Sequence, residues 1–380
     1  MFMANFLGRS LMLWLSLCIS FWLVACSSQP GVPQPVELGP SPALLGVKQV
    51  WAAQTGRVDF PLSVVVTDNT VVLAGGPDGK VSAVNAATGA VLWQVQLGVA
   101  VSAGVGSDGH YAALVTQDNA LVTLENGKES WRIRLASQVL TAPLVAGGRV
   151  FVLAGDRSVA AFDARTGHKL WSDQHPGDNL LLRQAGVLTA VGNTLVVGLG
   201  GTLTGLDPNG GQTLWSVAIA RPRGTNDVER LVDLVAGVAR NGNTVCVRAF
   251  QAAVGCVDVA QGRLGWRQTA SGFVGLHGDG QTVFGVEGDG RVLAWQQTTG
   301  QQQWASDALR YRQLSAPLAL GRSVIVGDDA GRLHFLSRTD GSVLTRLSTD
   351  GSPIVTTPVV AGQTLVVVTR NGGIFGFRPE

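Results

Sequence analysis

Residues 79–93 read GKVSAVNAATGAVLW, which ends a strand-like run with a turn glycine and, four residues later, a tryptophan. The same spacing of glycine and aromatic residue returns along the chain. The matching pairs are Gly89/Trp93, Gly127/Trp131, Gly167/Trp171, Gly211/Trp215, Gly262/Trp266 and Gly300/Trp304, with Gly341/Thr345 as a degenerate seventh. Trp51 adds an eighth mark without the preceding turn. Of the eight tryptophans after residue 26 only Trp295 lies elsewhere, so the recurrence is not coincidence.

Successive marks are 38 to 51 residues apart. A period of this length is typical of β-propeller blades, each built from four strands. A second register agrees, because Gly79, Gly201, Gly290 and Gly331 each lie 14 residues before the following mark. These glycines fit a hairpin turn between the second and third strands of a blade.

The two ends of the chain predict how the ring closes. After Thr345 the sequence has three strand-like runs, 355–360, 364–369 and 373–377, and stops one strand short of a blade. The run 47–53 supplies the missing outer strand. We therefore predict an all-β fold, a single eight-bladed β-propeller over residues 46–380, with four-stranded antiparallel blades and a last blade closed by the N-terminal strand.

The marker tryptophans are expected to be structural residues that pack between neighbouring blades. They are Trp51, Trp93, Trp131, Trp171, Trp215, Trp266 and Trp304. Burial of each large ring contributes roughly 2 to 3 kcal/mol to stability. The alternative is that they stack on a carbohydrate or a cofactor. Their positions resemble the tryptophan-docking motifs of quinoprotein dehydrogenase propellers, in which the tryptophans are also structural.

The composition excludes several classes of protein. The chain has 50 Gly residues in 380, a hydrophobic content of 46 % and a charged content of 14 %. This hydrophobic content excludes a disordered chain. A net charge of +2 without any run of Lys or Arg argues against nucleic-acid binding. The five His residues are scattered, so no sequence-local metal site is expected.

The first 25 residues are interpreted as a cleaved lipoprotein signal peptide. Arg9 precedes the apolar run 11–25, which is shorter than the about 20 residues that a membrane-spanning helix needs. An uncleaved anchor is the alternative. Leu23-Val24-Ala25-Cys26 resembles the bacterial lipobox, which implies lipidation of Cys26 and stable membrane anchoring. By the sorting rule of double-membraned bacteria, Ser27 indicates the outer membrane.

Residues 26–45 are interpreted as the lipidated cysteine followed by a tether. This segment contains five of the chain's 15 prolines and lacks apolar periodicity. An extended Pro-rich segment of this length could reach about 60 Å.

Cys246 and Cys256 are the only thiols left after the signal peptide and Cys26. They lie symmetrically on a predicted hairpin formed by 244–250 and 253–260. A disulfide is plausible in an oxidising periplasm, and two small buried thiols are the alternative.

A quinoprotein enzyme is the main rival function, because such enzymes share the eight blades and the docking motif. Their chemistry usually involves adjacent cysteines over the quinone, a Ca²⁺ site and a catalytic Asp. This chain has no adjacent cysteines, no Gly-x-Ser-x-Gly elbow and no phosphate loop. We therefore expect a protein that is not an enzyme and carries no cofactor.

One repeat is longer than the others. The interval from Trp215 to Trp266 is 51 residues, and the excess falls in 221–233, RPRGTNDVERLVD, which is rich in charge. An insertion of this kind is either a binding loop or a solvated excursion.

The lipobox, the Pro-rich tether, the eight blades and this loop together resemble the BamB family, lipoprotein propellers of the outer-membrane β-barrel assembly (BAM) machinery. The similarity covers essentially the whole mature chain. Its more specific part is Asn179-Leu180-Leu181-Leu182-Arg183 together with Glu229-Arg230-Leu231-Val232-Asp233.

In that family, a Leu-x-Leu-Arg segment and acidic positions after an Arg-Leu pair bind the POTRA domains of the central barrel subunit. The resemblance implies the partner-binding residues Leu180, Leu182, Arg183, Arg230 and Asp233. A second acidic position of the family is Val235 here. Two alternatives stay open, which are that the leucines are ordinary strand core and that Arg183 and Asp233 form an internal ion pair.

The resemblance implies a non-catalytic scaffold on the periplasmic face of the outer membrane. It would bind the POTRA domains and present blade edges to unfolded outer-membrane protein clients by strand addition. The alternatives are a small periplasmic quinoprotein dehydrogenase and an envelope adaptor that serves another complex.

Overall fold

The computed structural model describes residues 33–176, 182–222 and 231–380. Within these ranges the chain forms 32 β-strands and no helix, and the strands group into eight sheets of four. All the strand pairs inside these sheets are antiparallel. The predicted all-β, eight-bladed propeller is confirmed. No helix in the described part is long and apolar enough to cross a membrane.

Blades one to four follow each other along the chain, with the innermost strand first. Blade one has β2 (Val65–Thr67), β3 (Thr70–Gly75), β4 (Lys80–Asn85) and β5 (Val91–Gln96). Blade two has β6 (Val101–Ser107), β7 (Tyr111–Thr116), β8 (Ala120–Glu125) and β9 (Lys128–Arg134). Blade three has β10 (Leu144–Ala146), β11 (Arg149–Leu153), β12 (Ser158–Asp163) and β13 (Lys169–Gln174). Blade four has β14 (Leu188–Val191), β15 (Thr194–Leu199), β16 (Thr202–Leu206) and β17 (Thr213–Ala218).

Blades five to eight complete the ring. Blade five has β18 (Leu234–Asn241), β19 (Thr244–Ala249), β20 (Ala253–Asp258) and β21 (Arg263–Thr269). Blade six has β22 (His277–Gly278), β23 (Thr282–Val286), β24 (Val292–Gln296) and β25 (Gln302–Ser306). Blade seven has β26 (Leu318–Leu320), β27 (Ser323–Gly327), β28 (Arg332–Ser337) and β29 (Val343–Ser348). Blade eight has β30 (Val359–Ala361), β31 (Thr364–Val368) and β32 (Gly373–Pro379), with β1 (Val47–Gln54) as its outer strand.

The ring closes in the way that the two chain ends predict. Strand β1 pairs antiparallel with β32, and Trp51 lies opposite Gly376. The N-terminal strand thus completes the last blade and covers the edge that β32 would otherwise expose.

Burial follows the strand order within each blade. The second and third strands are almost fully buried, whereas the outer strands β5, β9 and β13 alternate between exposed and partly buried side chains. A strand that faces a neighbouring blade on one side and solvent on the other needs this alternation. The hydrophobic core is therefore divided into clusters that lie between adjacent blades.

Seven of the eight seams between blades hold a marker tryptophan against the turn glycine of the next blade. A Cβ atom added to that glycine would lie 2.5 to 2.8 Å from the indole, so only glycine fits there. The indole Nε1 of Trp131 also donates a hydrogen bond of 2.8 Å to the Ala164 carbonyl, and equivalent bonds link Trp51 to Ala86 and Trp171 to Pro208. The Gly-x-x-x-Trp spacing thus joins each of blades one to six to both of its neighbours.

The seam between blades seven and eight is different, because Thr345 replaces the tryptophan and Val47 replaces the glycine. Here residues 36–46, which we call the strap, lie against the propeller, and residues 39–44 of the strap follow the outer strand β29. The Leu44 amide donates to the Leu344 carbonyl at 2.8 Å, and the Arg346 amide donates to Ser41 Oγ at 3.0 Å. Residues 36–45, which the sequence assigns to the tether, therefore contact the propeller.

Cys246 and Cys256 lie directly opposite each other on β19 and β20. Their sulfur atoms are joined in a disulfide, and both residues are buried. Cys256 also lies beside Trp266 on the outer strand, so this bridge is part of the core at the seam between blades five and six. Cys26 lies outside the described residues.

Candidate partner-binding surface

The two segments that the family resemblance selects meet on one side of the ring. Residues 182–187 lead into blade four, and residues 231–233 lead into blade five. Leu180 and Arg230 lie outside the described residues, whereas Leu182, Arg183 and Asp233 lie within them. We call the surface formed by these three residues and Arg157 the blade-four surface.

Asp233 joins the two segments. Its Oδ2 accepts a hydrogen bond of 3.1 Å from the Leu182 amide, and its Oδ1 lies 3.9 Å from Nη2 of Arg157. The Asp233 side chain is only 17 % exposed, so its two oxygens are largely directed at these protein partners. A partly buried carboxylate that accepts a hydrogen bond from a backbone N–H restrains the position of that backbone. Asp233 therefore holds the Leu182 segment in place.

Backbone contacts reinforce the same junction. Gly186 and Val235 form an isolated antiparallel bridge, and the Ala236 amide donates to the Ala185 carbonyl at 2.8 Å. The Phe250 amide donates to the Asp233 carbonyl at 3.0 Å. The entry segments of blades four and five are thus paired with each other rather than independent loops.

Arg157 is a member of this surface that sequence reasoning missed. It lies in the turn between β11 and β12, 14 residues before Trp171, in the register that holds Gly79, Gly290 and Gly331 in other blades. Its φ of 65° is in the left-handed region, which costs a side-chain-bearing residue about 1 to 2 kcal/mol. An arginine at the position where other blades have a turn glycine is the sequence signal that could have identified Arg157.

Arg157 reaches from blade three across blade four to Asp233. A Cβ atom on Gly200, in the turn between β15 and β16, would lie 3.1 Å from its Nη1. Among the residues that the structure describes, Asp233 is ion-paired with Arg157 and not with Arg183. This finding contradicts the alternative in which Arg183 and Asp233 pair internally.

Arg183 is exposed, and Leu182 is half-buried. Val235, which stands at the family's second acidic position, is buried in β18 at 3 % exposure. The structure thus brings Leu182 and Asp233 together and leaves the Arg183 guanidinium facing solvent. A cavity of about 60 Å³ beneath them is lined by Leu153, Arg157 and Leu182 among others.

A buried ion pair stabilises the neighbouring loop. Arg248 and Glu287 are almost fully buried, and Arg248 Nη1 donates to Glu287 Oε1 at 3.0 Å. Burial lowers the pKa of Arg248, and the nearby Glu287 carboxylate partly offsets this. Glu287 also accepts from Ser271 Oγ at 2.9 Å, and the Phe273 carbonyl in the same loop accepts from Gln184 Nε2. The residue next to Arg183 is thus fixed to the entry of blade six.

A larger opening of about 480 Å³ adjoins the blade-four surface. It is lined mainly by residues in or just before the first strands of six blades. Its charged lining residues, Asp329 and Arg370, lie in turns between the second and third strands of blades seven and eight. Among the described residues, no group of three His, Cys, Asp or Glu side chains could hold a metal ion.

Comparison with known proteins shows which family the chain resembles. The profile of a family described as "Outer membrane protein assembly factor BamB" matches residues 77–306 and 297–380. The chain is 36 % identical over 361 residues to "Outer membrane protein assembly factor BamB" of Burkholderia pseudomallei, covering 94 % of each.

Solved structures agree on the fold. The crystal structure of BamB from Moraxella catarrhalis matches with a TM-score of 0.80 at 24 % identity, covering 87 % of this chain and 99 % of that one. A quinohemoprotein alcohol dehydrogenase from Comamonas testosteroni matches with a TM-score of 0.68 at 14 % identity, covering 89 % of this chain and 78 % of that one. The second likeness shows that this propeller architecture is shared with enzymes. The sequence similarity, which the enzyme lacks, decides the family: the chain belongs to the BamB family of outer membrane protein assembly factors.

Proposed function

We propose that the protein is a non-catalytic scaffold that binds the POTRA domains of the central barrel subunit of the BAM complex through its blade-four surface. The observation that carries this proposal is the hydrogen bond between the Leu182 amide and Asp233, which fixes the segment beside the exposed Arg183. A fixed segment binds with a smaller loss of conformational entropy than a mobile one.

The chemistry of the surface favours a polypeptide partner with an acidic and apolar face. Arg183 offers a guanidinium in solvent, and Leu182 offers a partly exposed apolar side chain next to it. Arginine is enriched among the residues that dominate binding energies at protein interfaces. In this proposal Arg183 contacts the partner, whereas Asp233 and Arg157 act as positioning residues.

We propose that a lipid on Cys26 holds the scaffold at the periplasmic face of the outer membrane. Multiple acyl chains at one terminus give stable anchoring. Because the strap contacts blade seven, residues 36–45 are part of the propeller unit rather than of a free tether.

Unfolded outer-membrane protein clients are proposed to bind the outer strands of the blades. Leu92, Leu170 and Leu214 each lie just before a marker tryptophan and are 44 to 55 % exposed. The outer strands that carry them, β5, β13 and β17, are the edges of their sheets. An edge strand with exposed apolar side chains can accept an extended segment by strand addition.

Charge-reversal variants test the POTRA contact. We expect Arg183→Glu and Asp233→Lys each to abolish co-purification of the barrel subunit from solubilised outer membranes while the propeller stays folded by circular dichroism. The exposed Arg267 on β21, in the next blade, provides the matched control Arg267→Glu, which should co-purify normally. Undiminished co-purification of Arg183→Glu would overturn the assigned interface.

A milder variant separates positioning from direct contact. Asp233→Asn keeps a side-chain oxygen that can accept from the Leu182 amide but loses the charge. If Asp233 acts by positioning, Asp233→Asn retains most of the binding that Asp233→Lys loses. Equal loss in both variants would instead place the Asp233 charge in direct contact with the partner.

A further inference from the structure

We call the seam between blades seven and eight, which lacks a marker tryptophan, the open seam, and the other seven the closed seams. The open seam reverses a pattern of side-chain sizes that the closed seams share. In seven blades the marker tryptophan lies opposite a small residue on the neighbouring strand. These residues are Ala83, Thr123, Ala161, Gly205, Cys256, Ala294 and Gly376. In blade seven Thr345 instead lies opposite Phe335, so the large residue has moved to the inner strand.

The exchange leaves a groove where the other seams hold an indole. Trp131 packs against a cluster that includes Val145, Val150 and Phe162 of the next blade. Strand pairing places Val360, Leu365 and Phe377 of blade eight at the same three positions.

These three residues of blade eight, together with Phe335, line a groove of about 480 Å³. We call this the seam groove. Its volume lies in the range typical of small-molecule binding sites.

The residues that line the seam groove carry positive charge. Arg322 and Arg378 are among them and no Asp or Glu lines the groove, while the Glu380 side chain lies next to Gly46 at its edge. Arg322 Nη2 donates to the Leu44 carbonyl at 2.6 Å, which ties the strap to the same rim. An aromatic side chain with a carboxylate neighbour would match both the apolar floor and the cationic rim.

We propose that the seam groove is a second docking site, which binds an aromatic side chain on an acidic, extended segment of a partner polypeptide. The occupant is defined by the chain itself, because seven seams hold an indole in the equivalent place. The site is separate from the blade-four surface and does not rest on the POTRA proposal. Binding here would place a partner beside the strap that leads to the lipid anchor.

The test uses the full lipoprotein in nanodiscs and short peptide probes observed by ¹⁹F NMR. The main probe is acetyl-Glu-(5-fluoro-Trp)-Glu-amide, and the matched probe replaces both Glu residues with Lys. We expect the acidic probe to bind at least fivefold more tightly than the basic one, and acetyl-Glu-Ala-Glu-amide not to compete. Equal binding of the two fluorinated probes, or no binding, would overturn the proposal.

A filled variant shows where the probe binds. Val47→Gly, Phe335→Ala and Thr345→Trp together install the pattern of the other seams, and we expect at least a tenfold loss of probe binding. Should this variant fail to fold, Arg322→Glu offers a rim test, because it should remove the preference for the acidic probe. Unchanged binding in the folded filled variant, or an unchanged preference in Arg322→Glu, would contradict the assignment.

Two other occupants give distinct results. If the groove holds the chain's own acyl group, the Cys26→Ala chain binds the probe and the lipoprotein does not. If it holds a second copy of the chain, sedimentation shows a dimer that the filled variant loses. Either result would overturn the proposed polypeptide partner.

Discussion

The ring uses one repeat in two ways, at the seam between blades three and four and at the seam between blades seven and eight. In the first, Trp171 packs on Gly211 and donates to the Pro208 carbonyl at 3.0 Å, so the two blades are fixed together. In the second, Thr345 cannot fill the same space, and the strap covers the outer strand instead. The blade-four surface lies beside the closed seam, whereas the open seam contains the seam groove.

Both candidate binding sites lie where the sequence departs from its own repeat. Arg157 stands at a glycine position beside the closed seam, and Thr345 stands at the tryptophan position of the open one. A departure that costs local stability and persists is expected at a functional site. Departures from the repeat are therefore a better guide to candidate sites than the repeat itself.

Removal of the tryptophan should break the closed seam. Trp171→Ala is expected to lower the free energy of unfolding by about 3 kcal/mol, because it creates a cavity and removes a hydrogen bond. Thr345→Ala at the open seam should cost less than about 1 kcal/mol. Urea unfolding monitored by circular dichroism measures both, and similar losses for the two variants would show that the seams do not differ in this way.

The disulfide at the seam between blades five and six should contribute the next largest effect. Closure of a loop of about ten residues stabilises by roughly 2 to 3 kcal/mol in the chain-entropy model. The Cys246→Ala/Cys256→Ala variant is suitable because Ala occupies the position of Cys256 in blades one, three and six. Mass spectrometry of alkylated protein reports the bond, and a wild-type melting temperature that is insensitive to reductant would argue against its role.

A pair of glycines isolates the contact with the indole. Gly167 and Gly147 both have positive φ, but a Cβ on Gly167 would lie 2.7 Å from Trp131 and one on Gly147 would meet nothing within 4 Å. Gly167→Ala and Gly147→Ala both place a side chain in the left-handed conformation. The difference between their free energies of unfolding therefore measures the overpacking against the indole, which we expect to be about 1 to 3 kcal/mol. Equal destabilisation in urea unfolding would show that the indole yields to the added methyl group.

The smallest expected effect is on the pH dependence of stability, through a buried histidine in blade seven. His334 in β28 is fully buried, with Asp328, Arg312 and Arg346 as its charged neighbours. Burial lowers the pKa of His334, although the hydrogen bond of 2.9 Å to Asp328 opposes this. Because the unfolded chain then binds a proton more readily, stability is full above about pH 6.5 and falls as the pH drops below it.

His334→Gln should therefore reduce the loss of unfolding free energy between pH 7.5 and pH 5. The expected reduction of this loss is about 1 kcal/mol or less. Part of the pH dependence remains in the variant, because burial also lowers the pKa of His277. Identical pH profiles for the wild type and His334→Gln would contradict the assignment.

The sequence predicted the ring because the blade is a local repeat. Gly89 and Trp93 lie on one strand connection, and their spacing alone indicates the turn and the outer strand. The missing outer strand after Thr345 predicted the closure by β1, since each blade needs four strands.

Contacts between distant parts of the chain could not be predicted in the same way. Arg157 and Asp233 are 76 positions apart, and only the turn of the ring brings them together. The sequence assigns the strap to the tether because this segment is rich in proline and lacks apolar periodicity. Its position in the structure depends instead on hydrogen bonds to blade seven. The sequence leaves the disulfide as one of two alternatives, because the spacing of two cysteines on a hairpin does not fix their oxidation state.

The affinity of the blade-four surface for isolated POTRA domains tests the central claim most directly. Isothermal titration calorimetry would compare the wild type with Arg183→Glu and the control Arg267→Glu. We expect Arg183→Glu to weaken binding at least about 30-fold, in line with the loss of a charge contact at an interface, and Arg267→Glu to stay within about twofold of the wild type. Wild-type affinity in a folded Arg183→Glu variant would contradict the account.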